Sequence, residues 1–415
     1  MFVYRPSMLN SASRRAFGRN LALDLVAGVG LGVTTSLVGA ILPTVARRGG
    51  LDPLGLAALA AAPFVANLLG AFAGRVGPQN QGHLAWVRGL GSASLLVLLV
   101  VPPAPVMVLV AVVFWLSWSF GTPLHLRLWG AMYPARLRGR VVGVLGMGRA
   151  GAGAVAAIAG GLLADAIGGE QAVAIGGVVG AACAVGYLGF RAQAAEQPAG
   201  FSARESVRAL LDRPSLARIA LAQGFYGGGL IAATPLFAIV HVDRLHLSLV
   251  DVGVIGILAA VATIAASPVW GFVADRFGGV AALGLGSAAG LLSLVGYAIA
   301  PSVEVLWLAA LASGIGGAAI DVGISAAVSD QTPLSSRAAA MAGWNALTGA
   351  RGTVAAFLMS ALLQLGVVDV TTALLACLAT SAIGVVLFVQ AGRRPVTALR
   401  PATPPVAAEA RVPAV

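Results

Sequence analysis

The sequence predicts an all-α membrane protein of twelve transmembrane helices, arranged as two pseudo-symmetric six-helix bundles. Three observations predict it. Of the 415 residues, 59% are hydrophobic and only 10% are charged, whereas soluble domains carry about 25% charged residues. Long apolar runs recur twelve times, each near the roughly 20 residues that a helix needs to cross a bilayer. Short stretches of the first half return in the second at an offset of 201 residues.

The apolar runs come first. They lie at 21–43, 54–74, 85–102, 106–128, 141–164 and 171–190, then at 216–240, 249–274, 280–300, 303–328, 338–365 and 371–390. Their richness in Ala, Gly, Val and Leu suits helices that approach closely in lipid. Arg5, Arg14, Arg15 and Arg19 before the first run imitate a secretory signal. Eleven further runs follow, so an uncleaved first span is expected. The chain then divides into a cytoplasmic segment 1–20, a six-helix bundle 21–190, a linker 191–215, a second bundle 216–390 and a tail 391–415. The tail is rich in Pro and Ala and is expected to be disordered. In the linker, Ser202-Ala-Arg-Glu205 has a capping-box pattern followed by Val207, Leu210 and Leu211, which predicts a short amphipathic helix on the membrane surface.

Charge placement orients the map. All 26 basic residues are Arg and the net charge is +11. These charges sit in short loops between apolar runs, which fits membrane topology and not nucleic-acid binding. With a cytoplasmic N-terminus, only Arg47, Arg48 and Arg244 fall outside, and Arg149 and Arg351 fall within spans. The other arginines, Arg88 and Arg127 among them, are read as cytoplasmic. Both termini are therefore expected inside, in the cell (inner) membrane. Cys183 and Cys377 each lie in an apolar run without metal-ligand or redox spacing, so packing is their expected role. The sequence has no nucleophile elbow, phosphate loop or metal cluster, so neither an enzyme nor a cofactor is expected.

The internal repeat is carried by three matches. GAFAGRVG, from Gly70 to Gly77, aligns with GFVADRFG, from Gly271 to Gly278. The same offset relates Arg136 to Arg337, and Arg149 lies one residue off Arg351. Two six-span halves with a site between them are a recurring transporter plan.

The stretch GFVADRFGG after the eighth span resembles the loop motif of the major facilitator superfamily, and Leu42-Pro43 loosely resembles a pattern of its drug-exporting members. The resemblance in layout covers roughly residues 20 to 390. It implies that family's fold and secondary transport by alternating access. It also implies a latch on the inward-closed state, made by Gly271, Asp275, Arg276 and Gly278, with Arg337 as partner. The first copy has Gly74 where the family has Asp, so Arg136 or Arg140 lacks the matching carboxylate there. Phe114 to Gly121 of span 4 lacks the family's buried Arg, and span 5, with Gly151, Gly153, Gly160 and Gly161, lacks the Pro frequent in drug/proton antiporters.

A few ionisable residues are stranded at lipid depth. An Arg facing lipid mid-span costs about 2.5–3.5 kcal/mol on the lenient insertion scale. Arg149 and Arg351 are therefore expected to face a cavity, where they bind an anionic solute group or pair with buried acids. Asp321 in span 10 and Asp24 near the inner end of span 1 are proton-coupling candidates. The structural alternative is a fixed salt bridge to Arg351 for Asp321 and an interfacial charge for Asp24. Asn67, Gln223, Tyr226, Trp344 and Asn345 supply polar or stacking groups that line a pocket or hold helices together. Trp115 and Trp118 line a cavity or face lipid. His125 is expected at the surface, and His241 and His246 in an outer loop.

The expected function is a proton-coupled secondary transporter exporting amphipathic compounds. One alternative is an organic-anion carrier using Arg149 and Arg351. Another is a non-transporting sensor on the same fold. The expected partners are a small-molecule solute, protons and the lipid bilayer; no nucleic acid is expected, and the chain is read as a monomer.

Overall fold

In lipid, every backbone N–H and C=O of a spanning segment must be satisfied internally, so apolar runs of this length become helices. The computed structural model describes residues 11–70, 80–101, 104–191 and 203–393. Within them, 12 helices are long and apolar enough to cross a membrane. Spans 1 to 6 are Arg15–Arg48, Pro53–Gly70, Gln81–Leu99, Ala104–Met132, Leu137–Ile167 and Gly169–Gly189. Spans 7 to 12 are Pro214–Arg244, Leu249–Phe277, Gly279–Ile299, Val303–Gln331, Ser336–Gln364 and Val370–Arg393. Each expected run has its helix, and no strand occurs among the described residues.

Local chemistry sets the helix ends. Asn80 caps span 3 through the His83 amide (2.9 Å). Ser248 and Asp251 form a reciprocal capping box at the start of span 8. The turns into spans 6 and 9 pass through Gly168 (φ 109°) and Gly278 (φ 87°), a backbone region that side chains with a Cβ rarely adopt. Spans 1 and 7 run past their expected ends because each continues through a π-helical turn, at Leu37–Ile41 and Val240–Arg244. In the first, the Leu42 amide reaches back to the Leu37 carbonyl, and Pro43, which has no N–H to donate, follows at once. The two turns occupy corresponding places in the two halves.

An even number of crossings puts residues 11 and 393 on one face, the terminal face. At the opposite, far face the halves are sealed. Gly161 of span 5 lies against the backbone of Leu249, where an added Cβ would be 2.4 Å from the carbonyl oxygen. Gly253 of span 8 meets Ala157 in the same way, at 2.3 Å. Spans 2 and 11 close the other side, with Phe64 and Leu68 against Gly349 and Gly352. Polar contacts reinforce this seal. Arg47 pairs with Asp243; the Asp165 carboxylate accepts from the Leu249 and Val250 amides, both at 3.0 Å; and Gln364 donates to Asp52 (3.0 Å).

The apolar core follows the same asymmetry. One buried cluster draws on both halves, running from Leu37, Val45, Leu59 and Phe114 to Leu236, Leu249, Leu294 and Leu374. Toward the terminal face it gives way to two clusters, each confined to one half: Leu84, Leu128 and Tyr187 in the first, Leu216, Leu283 and Phe388 in the second. The large core shared by the halves lies at the far face; a small one joins Ala61 of span 2 to Ile231 and Ala356 of spans 7 and 11.

The linker contains the helix Ala203–Leu211. Leu210 is fully buried, and Gly343 of span 11 lies so near the Ser206 carbonyl that a Cβ would sit 2.2 Å from it. This helix is docked on protein through Ser206 and Leu210, while Leu211 is exposed.

Candidate functional site

Inside the first half, spans 1, 3, 4, 5 and 6 surround a cavity of about 130 Å³ lined by Asp24, Arg88, Trp118, Thr122, His125, Arg149 and Tyr187, among others. Asp24 is 1% exposed. It accepts from His125 Nε2 (2.8 Å), Trp129 Nε1 (2.6 Å) and the Tyr133 hydroxyl (3.1 Å). Of the two readings of Asp24 the interfacial charge is excluded, and His125 is not at the surface as expected. Span 4 continues to Met132 and carries His125, Trp129 and Tyr133 past span 1, three donors spaced one turn apart. Removing this acceptor leaves three donors unpaired, those of His125 and Tyr133 on buried residues. Asp24→Ala is expected to lose about 2–5 kcal/mol of stability and Asp24→Asn clearly less, as read by thermal unfolding of the purified protein.

Arg88 corrects a second expectation. It is not a cytoplasmic charge but lies two turns inside span 3, 5% exposed, on a helix that starts at Gln81, four residues before the expected run. Its guanidinium lies 4.6 Å from the Trp118 ring centroid, and that of Arg149 lies 5.2 Å from the same ring. A cation over an indole face is attracted by the ring quadrupole. The first half thus has its buried arginine on span 3, facing span 4, and not on span 4 itself.

The second half has a counterpart cavity of about 260 Å³, lined by Gln223, Tyr226, Gly227, Ser313, Asp321, Thr348 and Arg351, with Phe64 contributed by the first half. Arg351 donates from Nη1 to the Gln223 carbonyl (2.6 Å). Its Nε has no partner, nor has Gln223 Oε1. Asp321 is exposed to the cavity, and no ion pair joins it to Arg351 among the described residues. Its charged neighbour is Arg149 of the other half. The two mid-span arginines therefore occupy corresponding cavities, one per half, and Asp321 faces across between them.

A third cavity, about 370 Å³, lies between the halves toward the far face. Its wall is mostly apolar and aromatic, including Phe64, Trp115, Phe237 and Tyr297. Both π-helical turns border it, through Val38, Gly39 and His241. His241 is buried, not in a loop as expected. One ring nitrogen lies 3.3 Å from Thr44 Oγ1 and the other 3.0 Å from the Tyr297 hydroxyl. Trp115 and Trp118 thus both line cavities, one in each of two chambers.

The remaining expected residues are dispersed. Asn67 accepts from Ser119 (3.0 Å), tying span 2 to span 4. Trp344 is buried in the core of the second half, and Asn345 is exposed; neither lines these three cavities. Among the latch residues, Asp275, Arg276 and Arg140 are exposed. Arg337 donates to the Thr332 (3.2 Å) and Ser329 (2.7 Å) carbonyls at the end of span 10. The first-half copy around Gly74 and the side chain of Arg136 lie outside the described residues. No group of three or more His, Cys, Asp or Glu suited to a metal occurs among the described residues, and Cys183 and Cys377 are free thiols.

Residues 219–413 match the family profile described as Major Facilitator Superfamily. Comparison with curated proteins finds no significant match. Among solved structures, the fold resembles the nucleoside transporter NupG, with TM-score 0.71 and 13% identity over 91% of this chain and 100% of that one. It also resembles a bacterial homologue of the human lysosomal transporter Spinster in an inward-facing, occupied conformation, with TM-score 0.69 and 15% identity over 90% and 96% of the two chains. The peptide transporter POT in complex with sulfate matches with TM-score 0.65 and 14% identity over 92% and 99%.

Proposed function

We propose that the chain is a member of the major facilitator superfamily, whose profile matches residues 219–413, and that it is a proton-coupled carrier of an amphipathic small solute that works by alternating access. Both halves of the pathway are supplied by one chain, so the working unit is a monomer. The observation that carries the reading is the split core. A shared apolar cluster closes the far face, while the terminal side has one cluster per half. With the termini in the cytoplasm, as the arginine distribution favours, this is the inward-facing state. Asp275 has no ion-pair partner among the described residues, which suits a latch on the inward-closed state that is disengaged here.

Asp321 is the proton-bearing group in this scheme. Its carboxylate lies in the cavity wall with Arg149 of the opposite half as its charged neighbour. When ionised, it draws the halves together across the chamber; when protonated, it releases them. A proton thus biases a two-state rocking motion through a difference in attraction between states. The large apolar cavity above supplies the body of the site, and the few polar groups below it supply orientation.

The test begins with a thermal-stabilisation screen of nucleosides, dipeptides, aromatic amines and organic anions, since a ligand of the folded state raises its stability. The stabilising solute is then followed in proteoliposomes together with internal pH. Solute movement accompanied by proton movement is expected. Solute movement with no change in pH, whatever the imposed gradient, would reject the coupling.

A further inference from the structure

The cavity in the first half holds more hydrogen-bond donors than the protein satisfies. Arg88 donates from Nη2 to Thr122 Oγ1 (3.1 Å), but its buried Nε and Nη1 have no partner. The hydroxyl of Tyr187, 1% exposed, has none either. Both side chains line the same cavity, and so does Arg149. Buried polar groups are normally paired, and three orphans around one small space are an unusual concentration.

The charge balance points the same way. Two guanidiniums share this cavity, and no carboxylate lies within ion-pair distance of either among the described residues. Asp24, the carboxylate in the wall, is taken up by His125, Trp129 and Tyr133. A buried charge without a counter-ion is strongly unfavourable. Water can meet hydrogen bonds in such a space but cannot neutralise the cations. An oxyanion does both, because its oxygens accept and its charge is opposite, and a guanidinium fork suits carboxylate, sulfonate or phosphonate oxygens.

We propose that this cavity is an anion subsite, in which Arg88, Arg149 and the Tyr187 hydroxyl hold the acidic group of a small organic anion. The identification of that anion as the transported solute rests on the reading of the chamber given above; the anion site itself does not. The acidic group and Asp321 compete for Arg149, which ties solute binding in the first half to the carboxylate of the second. Arg88 is the residue specific to this subsite.

The experiment is calorimetric titration and thermal unfolding of the purified full chain in uncharged detergent. The probes are benzenesulfonate, inorganic phosphate and benzylammonium. Benzenesulfonate is expected to bind and stabilise, and benzylammonium is not. In Arg88→Gln the affinity for benzenesulfonate is expected to fall at least about tenfold, the scale of a charged hydrogen bond, with partial recovery in Arg88→Lys. Phosphate binding without benzenesulfonate binding would overturn the organic solute in favour of a free inorganic ion. Failure of the parent to bind either oxyanion overturns the site, as does unchanged affinity in Arg88→Gln. If Arg88→Gln does not fold, the parent decides, because equal binding of benzylammonium and benzenesulfonate overturns the proposal. Asp321→Asn separates the two readings. Intact benzenesulfonate binding without proton-linked flux supports the subsite and leaves the coupling scheme to be judged by flux alone.

Discussion

Asp321→Asn is expected to abolish solute accumulation driven by a pH gradient while sparing solute exchange at equal pH. With one proton per solute, a gradient of one pH unit supports an accumulation ratio of about tenfold. The amide keeps the size of the carboxylate and much of its polarity, so the cavity of Gln223, Tyr226 and Arg351 keeps its shape. It cannot take up or release a proton, and it exerts no net charge on Arg149. The accumulation ratio should therefore fall to one, with exchange within a few-fold of the parent. Reconstituted protein with an imposed gradient of either polarity provides the measurement. An asparagine variant that accumulates solute as well as the parent would remove Asp321 from the coupling scheme.

The second large effect is expected at the seam between spans 5 and 8. Gly161→Leu places a side chain where even a Cβ would lie 2.4 Å from the Leu249 carbonyl oxygen. That neighbour is backbone and cannot swing aside. Overpacking of this kind costs about 1–3 kcal/mol, and here the cost falls only on the state with the far face closed. The equilibrium should move by roughly tenfold or more toward the far-open state, and turnover should drop with it. In a background with both native cysteines replaced, Thr44→Cys reports the change, since Thr44 lines the far-face cavity. Faster labelling by a membrane-impermeant thiol reagent is expected in the leucine variant. Equal labelling rates would mean that the seam is not what holds the far face shut.

The architecture was legible because lipid makes the pattern coarse. A run of about twenty apolar residues has one outcome in a bilayer, and each expected run became a helix. Charges near span ends were harder to read. His241 looks like a loop residue if a span is taken to stop where hydrophobicity falls, yet a π-helical turn carries the helix past that point; Arg88, near the start of its run, looks like an end charge, yet the cap at Asn80 sets it two turns deep. The signal for Arg88 was available in Asn80, a good helix starter eight residues before it. The burial of Asp24 and His125 was hidden for another reason. Their burial is mutual, created by two helices meeting, and neither segment contains a local trace of the other. The repeat did foretell that Arg149 and Arg351 occupy matching places. Which face the halves close on is a property of packing between distant segments, and no stretch of sequence encodes it by itself.

The Arg47 and Asp243 side chains that fasten the far face are 24% and 40% exposed, so the fastening sits in the bathing medium and not in the membrane interior. Dissolved electrolyte reaches it, and at physiological ionic strength charges are shielded over about 8 Å. An ion pair in that setting holds by at most about 1 kcal/mol, weak enough to be undone by thermal agitation in each cycle. Salinity on the far side of the membrane thereby becomes a control on how long that face stays closed.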